Sequence, residues 1–190
     1  MNGASDFRYH KHKMSKNVVI PVELYKSLRG EYFIGYASDL TFGKGRYAWA
    51  RLYNPFHSGV NLHVHVWTVS DVLESSFRAQ FWFNAEPPGI AIFSPQVICT
   101  NTAVLPNPKP QVRLQFCSDV VSEPESGIKA FERAGLSGTT LTANENGKLI
   151  FPPGGSFLIF LSAPDETEKR IRGSVGFGWW EEPVSFKGIK

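Results

Sequence analysis

Residues 60–70 read Val60-Asn61-Leu62-His63-Val64-His65-Val66-Trp67-Thr68-Val69-Ser70, and this stretch decides the fold class. Leu62, Val64, Val66 and Thr68 fall on one face of an extended chain and His63, His65 and Trp67 on the other, because side chains in a strand alternate with period two. One apolar and one polar-aromatic face describe a half-buried antiparallel strand. Gln111–Cys117 repeats the pattern: Val112, Leu114 and Phe116 form the inward set, and Arg113, Gln115 and Cys117 point out.

Working outward, turn clusters separate further short runs rich in aromatic and β-branched residues. Tyr32–Tyr36, Arg46–Tyr53, Ser76–Asn84, Gly89–Phe93, Gln96–Thr102, Leu149–Phe151, Ser156–Ser162 and Ser174–Glu181 each read as strands. Loops are expected at Thr41–Lys44, Asn54–Gly59, Ala85–Pro88, Asn107–Pro110, Ser118–Gly127 and Ala163–Lys169. Ile128–Gly135 (IKAFERAG) reads as a short helix capped by Gly135, and residues 23–29 as a turn or two of helix before Gly30. The chain has 15 Phe, 6 Tyr and 5 Trp beside 17 Gly and 13 Pro, a composition of strands and turns. A length of 190 residues fits one domain. The expected fold is all-β, a jelly-roll-like antiparallel β-sandwich over residues 23–190 with an extended N-terminal arm, residues 1–22.

The arm carries the charge asymmetry. Residues 1–16 hold Arg8, Lys11, Lys13 and Lys16 against Asp6, whereas the other 174 residues balance 16 basic with 16 acidic side chains. Four cations are few for a nucleic-acid contact, so a solvated or inter-subunit arm is the preferred reading. Asn17–Val22 (NVVIPV) reads as a short apolar strand that Pro21 restricts to an edge. No apolar stretch reaches the roughly 18 residues of a membrane span, and no apolar core follows the basic N-terminal residues. A product made in the cytoplasm without a signal peptide is expected.

His63-x-His65 with His57 nearby has a spacing that can hold a metal and resembles the start of the cupin metal motif. The acidic residue that motif requires is missing, since Val69 and Ser70 stand in its window, and Ser156 and Phe157 follow the turn Pro152-Pro153-Gly154 where it needs a second histidine. Glu181 and Glu182 are adjacent, so on a strand they face opposite ways and cannot flank one bond. Gly43-x-Gly45 and Gly154-Gly155 lack the strand-to-helix context of a phosphate loop, and no serine sits in a nucleophile elbow. No catalytic residue, metal site or cofactor is expected. Cys99 and Cys117 allow an internal bridge, links between chains, or unreactive thiols. Trp67, Trp82 and Trp179 could stack sugar rings or form contacts between chains.

Two segments carry a resemblance. Ala50–Val69 (ARLYNPFHSGVNLHVHVWTV) has a strand, Asn-Pro, a Ser-Gly turn and a long alternating strand. Leu149–Pro183 has an apolar strand, Pro-Pro-Gly-Gly, a second apolar strand, a loop and a strand ending Gly-Trp-Trp-Glu-Glu-Pro. Together, over about a third of the chain, they resemble small jelly-roll structural subunits of Firmicutes and their phages, including virion proteins and endospore appendage subunits. The resemblance implies a non-enzymatic subunit that assembles with copies of itself by sheet augmentation, an N-terminal extension lying on a neighbour, and a final place on a cell or spore surface or in a virion. Appendage subunits typically carry cysteines in that extension, and this arm has none. The residues expected between subunits are Val18, Val19, Ile20, Val22, Trp67, Trp179 and Cys117. The alternative is a carbohydrate- or surface-binding module; neither nucleic acid nor membrane is an expected partner.

Overall fold

The computed structural model describes residues 18–70, 72–73, 75–164 and 168–184. Helix α1 (Val22–Leu28) precedes strands β1 (Tyr32–Phe42), β2 (Tyr47–Tyr53), β3 (Val60–Ser70), β4 (Phe77–Phe83), β5 (Ile92–Phe93), β6 (Val97–Cys99), β7 (Arg113–Val120), β8 (Ile128–Gly135), β9 (Leu141–Phe151), β10 (Ser156–Ser162) and β11 (Ile171–Pro183). They form a five-stranded sheet, β6-β1-β11-β3-β9, and a six-stranded sheet, β5-β7-β2-β10-β4-β8. Within these, β1-β11-β3-β9 and β2-β10-β4-β8 follow the eight-strand order of a jelly roll, and β5, β6 and β7 widen one side. The expected antiparallel sandwich is therefore the fold observed.

The layers are bonded by their inward rows. Phe157, Ile159 and Leu161 of β10, Phe81 of β4 and Ala48, Ala50 and Leu52 of β2 meet Val64, Val69, Val175, Phe177 and Trp179 of the other sheet. Every residue of β10 is buried, because its outward row is covered as well. There Trp49, Leu158 and Phe160 form a second cluster with Cys117 and Trp82. Residues 85–91 fold over it, and the Trp49 indole donates to the Pro88 carbonyl at 2.8 Å.

Three expectations are corrected. Ile128–Gly135 is a strand paired with β4, not a helix. Phe131 stacks on Phe81 at 4.3 Å, and Gly135 lies where any side chain would strike the Phe77 ring. Lys129, Glu132 and Arg133 then lie on an edge strand, where charge discourages pairing with another chain. The apolar run before the domain is not a strand either: residues 18–21 lie outside any ladder and Val22 opens α1, with Pro21 as its N-cap. The rest of the Asn17–Val22 reading, and the basic residues 1–16, lie outside the described residues.

The third correction falls on β3 itself. Its bounds are those expected, but its facing reverses midway. Gly178 pairs with Val66 and Trp179 with Val64, so His65 is an extra residue, a β-bulge. Beyond it the period-two row changes sides. Trp67 and Val69 turn into the core, and Val66 and Thr68 turn out. The partner strand is irregular at the same level, passing from Leu149 to Asn144 across four unpaired residues. One of these, Glu145, accepts the Trp67 indole N–H at 3.0 Å.

Candidate functional site: the outer face of the five-stranded sheet

Strand β11 runs down the middle of this sheet. Val175, Phe177 and Trp179 enter the core, which leaves Gly176 and Gly178 on the outer row. With no side chains there, the face sinks into a groove of about 490 Å³ between Ile34 and Tyr36 on one side and Val66 and Thr68 on the other, closed by residues 95–98. A Cβ at Gly176 would come within 2.7 Å of the Thr68 hydroxyl. No residue lining the groove is charged. Ile34, Tyr36 and Ile98 on its walls remain about half exposed (45, 47 and 48%).

One end is built from polar and aromatic groups. Tyr32 reaches across Gly178, and its hydroxyl lies 2.6 Å from Nδ1 of the bulged His65. Burial, with a smaller contribution from Glu23, pushes the Tyr32 phenol up to about 12. Trp180 stacks on His63 at 5.3 Å. His63 places Nδ1 3.2 Å from the Gly147 carbonyl and Nε2 3.4 Å from Glu182.

Helix α1 is fixed on the same side, with unusual facing. Its buried residue is Lys26, whose ammonium lies 3.0 Å from Glu31 and 3.2 Å from Glu182. Burial works to raise the Glu31 carboxyl, but hydrogen bonds from Arg29 and Lys26 outweigh it and hold the group below its ordinary value. With the lysine inside, Val22, Leu24, Tyr25 and Leu28 face outward. A surface helix normally does the reverse. Immediately before it, Val18 is 80% and Val19 94% exposed. The segment 18–28 thus leaves seven large apolar side chains, Val18, Val19, Ile20, Val22, Leu24, Tyr25 and Leu28, partly or largely exposed in one short stretch.

The other residues named from the sequence separate into two groups. Trp67 and Trp179 are core residues, 1% and 0% exposed, and present no surface to a neighbouring chain or a sugar. Trp82 is half-buried, its indole N–H donating to Gln80 at 3.0 Å. Cys117 does lie on the outward row of β7, but under the 85–91 loop, where a Cβ on Gly89 would be 3.0 Å from its sulfur. Cys99 is buried, and both thiols are free. His57 is exposed, and among the described residues no group of three or more His, Cys, Asp or Glu side chains is placed to hold a metal. Glu181 and Glu182 face opposite ways as expected, one in the protein and one at the surface. The sequence reading missed Lys26 and the groove. Its available signal for the groove was the Gly176-x-Gly178 spacing in a strand, which marks close approach of something to the backbone.

No helix among the described residues is long and apolar enough to cross a membrane. The chain belongs to a family of unknown function, DUF6143, whose sequence profile matches residues 5–187. No curated protein and no solved structure matches it.

Proposed function

We propose that this chain is a non-enzymatic structural subunit that assembles with copies of itself, in a fibre or virion-like array, through the apolar segment at the entrance to the sandwich. The observation that carries this reading is the outward facing of residues 18–28. Exposed single apolar residues are ordinary, whereas a contiguous apolar stretch is a contact surface. Covering a large apolar side chain fully is worth about 1.5–3 kcal/mol; Val18 and Val19, the most exposed, would gain nearest to that and the half-exposed five a part of it, which favours association. A subunit of this kind ends on a cell or spore surface or in a virion. The carbohydrate-binding alternative has less support, because Trp67 and Trp179 lie in the core.

The test is a Val18→Asp/Val19→Asp variant compared with the parent by light scattering and negative-stain microscopy. Both positions are exposed, so the fold should be unchanged by circular dichroism. The expected result is ordered assemblies or stable oligomers from the parent and monomers from the variant. Equal assembly by both would refute the role of the segment.

A further inference from the structure

The assembly reading leaves open what receives the apolar segment. We infer that the receptor is the uncharged groove on the outer face of the five-stranded sheet of a second copy, filled by Val18, Val19 and Ile20. The inference rests on the self-assembly reading above.

Two surfaces of this molecule complement each other. The groove has walls of Ile34, Tyr36, Val66 and Ile98 and no charged lining residue. Residues 18–22 (VVIPV) carry no charge in a chain where 19% of residues are charged. An ionised side chain placed in such a groove would lose hydration with no partner to compensate, so the occupant must itself be neutral. The groove's volume of about 490 Å³ suits a few aliphatic side chains, not a whole domain.

The segment does not fill the groove of its own chain, since Val18 and Val19 stand 80% and 94% exposed. Its base is also fixed: Pro21 caps α1, and Lys26 holds the helix between Glu31 and Glu182. An anchored base with a projecting apolar tip suits insertion into a neighbour. Pro21 contributes no backbone N–H, which lowers the polar cost of burying that stretch.

Contact between chains can be read directly by mixing two variants, both with Cys117→Ser to remove the more exposed native thiol. One carries Val19→Cys and the other Ile98→Cys on the groove wall. Mild oxidation should yield a disulfide-linked heterodimer. Far less should form when Val19→Cys is mixed with Leu136→Cys, which is 71% exposed in the crossover between β8 and β9, at the edge of the sandwich away from β6. A folded Ile98→Lys variant should weaken association about tenfold or more. If the parent self-associates but Ile98→Cys links no better than Leu136→Cys, the groove assignment is wrong and the assembly reading stands. A chain carrying both Val19→Cys and Ile98→Cys that closes within one monomer would assign the groove to the chain's own arm and overturn the inference. A parent that stays monomeric at high concentration removes both.

Discussion

Glu181 tests the physical reading of this structure most sharply, because two effects act on its carboxylate in opposite directions. It is buried near the end of β11 at 6% exposure. Oε2 accepts the Gln111 N–H at 2.9 Å; Oε1 accepts the Val112 N–H at 3.0 Å and the Trp179 indole N–H at 3.3 Å. Burial raises its pKa, those three donors lower it, and the balance leaves it above the ordinary 4.5. The neutral form is therefore favoured by folding, and what the fold requires of this side chain is acceptor oxygen more than charge. Glu181→Gln keeps one oxygen and relieves the burial of charge, so it should cost only about 0–1.5 kcal/mol. Glu181→Leu strands two backbone N–H groups and an indole N–H. At roughly 1–3 kcal/mol for each unsatisfied group, less what the removed charge returns, it should cost about 3–5 kcal/mol. Urea unfolding followed by tryptophan fluorescence measures both. The sign with pH is fixed by the same balance: a raised folded-state pKa means the native state binds the proton more tightly. The parent should then gain stability relative to Glu181→Gln as pH falls through the window just above 4.5. If the two variants are equally damaging, or the parent loses ground to Glu181→Gln on acidification, the charge itself holds the 111–112 segment and the reasoning fails.

Two further outcomes follow from burial. Trp67→Ala should cost about 3–5 kcal/mol in the same unfolding assay, since its ring lies in the core 4.4 Å from that of Phe81; a loss under about 1 kcal/mol would place the ring at the surface. Tyr32 should appear in an absorbance titration at 295 nm as a phenol ionising near 12, absent in Tyr32→Phe. Its raised pKa favours the neutral phenol, so that stability is present below pH 10 and drains away between 10 and about 12.

The bounds of the strands were legible where a run of apolar, aromatic and β-branched residues lies between turn signals. Ser156–Ser162 and Val60–Ser70 have the expected bounds. Legibility ended where one residue altered the count. The bulge at His65 leaves no mark in LHVHVW, yet it reverses every side chain after it, so Trp67 read as outward is in the core. IKAFERAG contains good helix formers, and only tertiary contacts override them: Phe131 on Phe81, and Gly135 under Phe77. The polar cluster beyond the groove, on the same sheet, was invisible for another reason. Lys26, His63 and Glu182 meet across most of the length of the chain, and no local pattern announces a contact of that range.

The two outer faces of the sandwich differ in a way that bears on the proposed assembly. On the six-stranded sheet, the aromatic pair Trp49 and Phe160 is closed by the chain's own 85–91 loop. Trp49 bonds to Pro88, and Arg51 lies over Trp49 and Tyr53 while donating to Gln115 at 2.8 Å and to the Ala85 carbonyl. That covering has a cost: burial pulls the Arg51 guanidinium below its ordinary pKa, with Glu86 offsetting part of the loss. On the five-stranded sheet residues 95–98 form one wall of the groove but no described loop covers it, and its walls are apolar too. Helix α1, which precedes β1, buries a lysine and turns its leucines away. A buried ion pair is a poor source of net stability and a good means of fixing orientation. The Lys26–Glu31–Glu182 cluster is best understood in that way. It holds α1 in the one facing that displays residues 18–28, and the apolar segment and the groove both stay accessible on the single chain, as the proposed assembly requires.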